Sequence, residues 1–269
     1  MLSTILCILQ IEVPMKTIVM FANKGGSGRT IATMALASGF LAQGKPVAVM
    51  DCTDQAGTNP KGRQPSTLQN WMMQMAACKI RPPQLELIEC RTRDEVEDSA
   101  AAADARGIDV LLIDTKARLD EPQLAALGLA DLIIAPAISP FEAKCIVEGI
   151  DQYLGTPEDL MCLITGCRNG AGEAAETRTA FGYHSVFQSE LPWAEAISDQ
   201  ILNGDIAHFV SSLACKPDRP GFARYRDALA AWNAVQRLTH EVEWALDGQR
   251  LEPFTGDQSP YAFKRKAVA

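Results

Sequence analysis

The sequence has three histidines, no run of about twenty apolar residues, no Cys-x-x-Cys pair and a deficit of positive charge, and each shortage closes off a class of function. Strand-sized apolar runs cannot cross a bilayer as helices. His184, His208 and His240 are scattered, with no carboxylate or cysteine at metal-ligand spacing, so they read as structural or surface residues. The eight cysteines (Cys7, Cys52, Cys78, Cys90, Cys145, Cys162, Cys167 and Cys215) have no partner at ligand spacing and are expected to be reduced, mostly buried thiols of a cytoplasmic protein. No G-x-S-x-G or Cys/His nucleophile pattern occurs. The net charge of −8 argues against a surface that coats nucleic acid indiscriminately, but leaves room for a local basic patch. Candidates are Arg219, Arg224 and Arg226 near the start of the last helix, and Lys264-Arg265-Lys266 in the tail; singly, such charges are solvated surface.

What is present is enough for one substantial core: 269 residues, 47% of them apolar, with no low-complexity run or long polar linker. The expected organisation is a single α/β domain over residues 15–247. Residues 1–14 would be an N-terminal extension, apolar yet a poor signal peptide for want of basic residues and a cleavage site, and 248–269 a loose tail. Short β-branched or apolar runs predict strands at 17–21, 47–50, 85–88, 110–113, 132–135 and 161–164. Helical spacing fills the intervals at 30–43, 67–78, 93–106, 121–129 and 141–154, and Gly44 ends the first helix. Alternation of this kind predicts a mostly parallel sheet with helices on both faces. The last third reads as a helix from Trp193 to Asn203 and a long helix from about Phe222 to Leu246. Leu229, Trp232, Val235, Leu238, Val242 and Leu246 form a core-facing stripe along the latter.

The first strand runs into Asn23-Lys24-Gly25-Gly26-Ser27-Gly28-Arg29-Thr30. Three glycines in four positions let successive backbone N–H groups converge on one point, which suits phosphate oxygens, and the helix beginning near Thr30 adds its dipole. Against the general pattern G-x-x-x-x-G-K-[ST], Asn23 replaces the first glycine and Arg29 replaces the lysine. A bound triphosphate needs a divalent cation, held by a hydroxyl at the loop's end and a carboxylate on a neighbouring strand. Thr30 and Asp114 fit those roles, and Asp51 ends another strand at the same edge. Each also has a structural reading, as a turn or a helix cap.

The Lys-Gly-Gly-x-Gly stretch with its early Lys24 resembles the deviant Walker A loop of the ParA/MinD family of dimerising P-loop ATPases. Asp114-Thr115 resembles that family's Walker B and switch II start, and Asp51-Cys52-Thr53-Asp54-Gln55 its switch I, with Asp51 and Gln55 in register but Thr53 in place of the second carboxylate. The proline that follows Asp-Thr in the family is absent here, where Lys116 stands. The segments Ile134–Glu142 and Leu163–Asn169 are also similar. The second makes Arg168 or Asn169 a base contact, with a surface turn as the other reading. Leu191–Ile197, ahead of a helix ending at Asn203-Gly204, resembles VirC-type and plasmid partition proteins, without the Arg often found at the position of Ala194.

The resemblance implies an ATP- and Mg²⁺-dependent switch acting in DNA partition or conjugative transfer. Lys24 would reach the partner subunit's nucleotide in an ATP-joined homodimer, and Gly25, Gly26, Ser27, Gly28 and Arg29 would hold phosphates. Mg²⁺ would be held by Thr30, Asp51 and Asp114, with Lys24, Asp51 and Asp114 as the catalytic set. DNA, or a ParB-like or relaxosome protein, would be the partner. Arg29 and Thr53 depart from the hydrolytic pattern, so weak or absent ATPase activity is expected, because guanidinium is a planar fork rather than a compact point charge. Other expectations are a non-hydrolysing scaffold, a MinD-like membrane-associated switch using the short basic tail, and an enzyme like the iron-protein reductases or the ligases that use ATP for small-molecule chemistry. A reductase would need an early cysteine, and the first after Asp114 is Cys145.

Overall fold

The computed structural model describes residues 14–53, 65–78, 84–155, 157–167, 171–214 and 219–249, with the backbone alone for 219–221. Asp54, Gln55, Arg168, Asn169, Cys7, Cys215, residues 1–13 and residues 250–269 lie outside this set. Its strands are β1 (Lys16–Met20), β2 (Val47–Cys52), β3 (Leu85–Glu89), β4 (Val110–Thr115), β5 (Leu132–Ala137) and β6 (Leu160–Ile164). They form a single sheet in the order β3-β2-β4-β1-β5-β6, and every pairing is parallel. The helices are α1 (Arg29–Ala42), α2 (Thr67–Ala77), α3 (Arg93–Ala105), α4 (Glu121–Gly128), α5 (Pro140–Tyr153), α6 (Ala171–Ala180), α7 (Glu195–Ser198), α8 (Gln200–Asn203), α9 (Ile206–Ala214) and α10 (Arg219–Leu246).

The two-residue repeat of an extended chain sorts β1 between two cores. Ile18 and Met20 pack with Leu36 and Phe40 of α1, Phe209 of α9, and Val235, Leu238 and Val242 of α10. Val19 joins Val96, Ala103 and Ala126 on the opposite face, where Phe21 packs with Ile146, Ile150 and Phe181. Burial on both sides explains why the strands read as continuous apolar runs. The expected α/β architecture is therefore observed, and helix limits fall within a residue or two of expectation except in the last third.

There the expected helix from Trp193 to Asn203 is two single turns. Trp193 lies outside any helix and Ala194 is extended, α7 begins at Glu195, and the chain leaves helical geometry at Asp199 (φ −95°, ψ 14°) before α8. The break lets Ile197 and Gln200 both turn inward, with Gln200 Nε2 donating to the Ile197 carbonyl at 2.8 Å. α6 and α9 were not anticipated, although in α9 Ile206, Phe209, Val210 and Leu213 are buried at helical spacing. β2 and β4 continue further than expected, so Asp51 and Asp114 belong to the strands and sit opposite each other in register. Among the described residues no helix is long and apolar enough to cross a membrane.

Candidate functional site

From β1 the chain passes to β2 on one side of the sheet, and later crosses from β4 to β5 on the other, which opens a crevice beyond the end of β1. The glycine loop fills it. Gly26 and Gly28 both have φ 88°, in the left-handed region. Gly28 is doubly constrained, because a Cβ there would lie 2.8 Å from Thr165 Oγ1. That hydroxyl donates to the Ser27 carbonyl at 3.1 Å, tying the loop to the end of β6. As N-cap of α1, Gly28 offers no side-chain acceptor, and the first turn contains no acidic residue. The leading N–H groups of a 14-residue helix thus face the loop without a capping oxygen, an arrangement suited to an anion.

Arg29 is buried at the start of α1, and its Nη1 donates to the Ala22 carbonyl at 3.0 Å, joining the two ends of the loop. Burial pulls its pKa down while Asp114 opposes that shift. Lys24 is exposed on the loop, with Nζ 4.9 Å from the centroid of the Phe141 ring.

Asp114 is 1% exposed. Its Oδ2 accepts from Thr30 Oγ1 at 2.6 Å, and its Oδ1 is buried with no hydrogen-bond partner. Burial pushes the carboxyl up to about 7; the Thr30 hydrogen bond and the Arg29 charge pull it down, and Asp51 adds repulsion. Asp51, one strand over, accepts at Oδ1 from both the N–H (2.9 Å) and the hydroxyl (2.6 Å) of Thr53. Thr53 is thus more than a missing carboxylate: its hydroxyl fixes the rotamer of Asp51. Two buried carboxylates side by side, one oxygen lacking any partner, and a hydroxyl on the loop's last residue are a donor set that fits Mg²⁺. Among the described residues no group of three or more His, Cys, Asp or Glu side chains could hold a metal alone, so a cation here would need oxygens from a ligand or water to complete its shell.

The structure gathers Lys24, Gly25, Gly26, Ser27, Gly28, Arg29, Thr30, Asp51 and Asp114 at one sheet edge; Arg168 lies outside the described residues. Three contributors escaped the sequence reading. Thr165 fastens the loop, Thr115 Oγ1 donates to the Met20 carbonyl at the end of β1, and Gln123 of α4 donates to the Cys52 carbonyl at 3.0 Å. Thr165 directly follows an apolar strand and Thr115 closes one beside Asp114, which is the signal that could have found them; Gln123 carries none. The candidate basic patch is diluted by acids: Arg224 is ion-paired with Glu195, and Arg226 lies 3.8 Å from Asp227. The side chain of Arg219 and residues 264–266 are outside the described set. The described cysteines are free, and burial pushes the Cys162 thiol up to about 12, which makes it inert.

A glycine loop between the central strand and the first helix, with a strand-borne aspartate bonded to that helix's threonine, defines a P-loop nucleotide-binding fold of the ParA/MinD type. The chain belongs to the MipZ ATPase family, whose profile matches residues 16–152. No curated protein sequence matches it. Among solved structures the fold is similar to the MinC:MinD complex of Aquifex aeolicus, at 12% identity and TM-score 0.57, covering 88% of this chain and 98% of that one. It is also similar to an ATP complex of a Cyanothece McdA variant (14% identity, TM-score 0.53, 89% of this chain and 99% of that one). A third is MinD of Pyrococcus horikoshii with Mg-ADP (12% identity, TM-score 0.53, 85% and 98%).

Proposed function

We propose that the chain is an ATP-dependent dimerising switch that acts in DNA partition or conjugative DNA transfer. The observation that carries this reading is the pairing of an uncapped, glycine-led helix start with the buried, half-partnered Asp114 bonded to Thr30. An anion site and a cation site lie side by side, which is what a magnesium nucleotide requires. Bound Mg²⁺ would neutralise the β and γ oxygens. Gly25, Gly26, Ser27 and Gly28 offer backbone N–H groups to the phosphates, Thr30 and Asp114 hold the metal with Asp51, and exposed Lys24 is free of the loop's own packing and able to reach a second subunit. The domain at 15–247 works in the cytoplasm, and its ATP state binds DNA or a partner protein; the Aquifex relative's complex with MinC supports the second.

Hydrolysis is slow. Arg29 is bonded to the loop's own Ala22 carbonyl and Thr53 offers no carboxylate, and losing a charge-stabilising group in phosphoryl transfer costs roughly three to five orders of magnitude. These same contacts favour a second reading, a nucleotide-holding scaffold with no turnover. Light scattering after size exclusion, with phosphate release measured with ATP, ADP or neither and with or without DNA, separates the two. ATP-dependent dimers with measurable release support the switch; dimers without release support the scaffold; no response to any nucleotide rejects both.

A further inference from the structure

The end of the sheet is chemically divided about the loop. On one side β2 and β4 carry Asp51 and Asp114, each one residue before the strand's end; on the other, β5 and β6 lead to Ile138, Thr165 and Gly166. A nucleotide whose phosphates sit over β1 must extend to one side. Charge sends the metal-bearing end toward the carboxylates, so the base lies over the second side.

That side continues without a gap from the loop to an indole. Positions for a Cβ on Gly28 and on Gly166 both fall within 4 Å of Ile138 Cγ2, at 3.8 and 3.9 Å, and the one on Gly166 lies 3.4 Å from Trp193 Cε3. Gly166 has φ 59°, so the surface between loop and ring carries no side chain there. Trp193 is held in place by backbone: Leu191 N donates to Ile164 O at 3.0 Å and Gly166 N to Leu191 O at 2.7 Å, which pins the segment before it to the end of β6. Trp193 is nonetheless 55% exposed. The other exposed ring beside the loop, Phe141, faces the Lys24 ammonium.

We propose that Trp193 is the stacking wall for the nucleobase, so that base recognition in this chain rests on π-stacking against an indole beside the bare backbone of Gly166. The inference rests on the nucleotide reading above and adds to it the residue that grips the base. Stacking tolerates any base but strengthens with ring size, so purine triphosphates bind more tightly than pyrimidine ones.

The test is calorimetric, on the full chain with Mg²⁺, using ATP, GTP, CTP and inorganic tripolyphosphate, which has the phosphates and no base. Trp193→Ala weakens ATP and GTP by roughly 5- to 150-fold, the range seen for loss of base–aromatic stacking, and CTP by less. Tripolyphosphate affinity stays unchanged, Trp193→Phe retains most of the ATP affinity, and the indole fluorescence change on ATP addition disappears in Trp193→Phe. An unchanged ATP affinity in Trp193→Ala overturns the proposal and leaves the nucleotide reading standing, and so does a parallel loss of ATP and tripolyphosphate. If the wild-type chain binds neither ATP nor tripolyphosphate, both fall together.

Discussion

Gln123 on α4 donates its Nε2 hydrogen to the backbone carbonyl of Cys52, 3.0 Å away, and so joins the helix after β4 to the end of β2, one residue beyond Asp51. The amide is 1% exposed, and its Oε1 is buried without a partner. Gln123→Ala removes the donor, opens a cavity and leaves the Cys52 carbonyl unsatisfied, for a loss of about 2–4 kcal/mol. Gln123→Leu fills the space and costs less, since it also removes the orphaned oxygen. Urea denaturation of the two variants checks the order.

Asp114 gives the nucleotide-free protein an unusual pH dependence. Its folded pKa, about 7, lies above the unfolded value, so between about pH 4 and pH 7 the native state binds the extra proton and stability falls as pH rises. The slope contributed is at most about 1.4 kcal/mol per pH unit. Asp114→Asn flattens that part of the profile and stabilises the empty protein at pH 8, while abolishing Mg²⁺-dependent nucleotide binding. Thermal melts from pH 5 to pH 8 show this directly.

At the opposite end of the sheet the sign reverses. Burial raises the Glu243 carboxyl, but hydrogen bonds from His240, Lys45 and Gln43 outweigh it and hold the group at about 2. A depressed carboxylate stabilises above its unfolded pKa and loses that contribution as pH falls through the folded one, here between about pH 4.5 and pH 2. Glu243→Gln removes about 1–2 kcal/mol at pH 7, allowing for the partial exposure of Lys45, and the difference from wild type vanishes near pH 2. Denaturant midpoints at the two pH values measure it.

Gly28→Ala places a methyl group at φ 88°, 2.8 Å from Thr165 Oγ1. The strain of a left-handed alanine, about 1–2 kcal/mol, adds to the clash, and the loop loses its tie to β6. Expected is a folded protein with a lowered melting temperature and no calorimetric response to MgATP.

Arg29→Lys exchanges the forked cation for a compact one, at a position where Nη1 now serves the Ala22 carbonyl. If the guanidinium limits turnover, phosphate release rises by at least about tenfold, a small part of the deficit attributable to one charge-stabilising group. No rise would locate the limit at Thr53 instead.

The strands and most helices were legible because their signals are local. β2 and β4 are buried runs, and α3 carries Thr92 and Glu95 as a capping box at its start. The loop was legible because only glycine accommodates φ 88° at positions 26 and 28. The broken helix at 195–203 was not legible, since the turn at Asp199 follows from burying Ile197 and Gln200 against distant elements. Nor was the use of Thr165, 138 residues from Ser27 in sequence, or the bond from Thr53 to Asp51, which looked like a mere loss of charge.

Thr165 also bears on how the molecule can be divided. The family profile ends at residue 152, inside α5, yet the hydroxyl that shapes the loop arrives on the next strand, and Leu238 and Val242 of α10 fill the core beneath α1. A fragment cut at that limit would keep the glycine loop, Asp51 and Asp114 and lose both the clamp on its phosphate loop and the cover over Phe40. The recognisable motif and the unit able to fold are different lengths of chain.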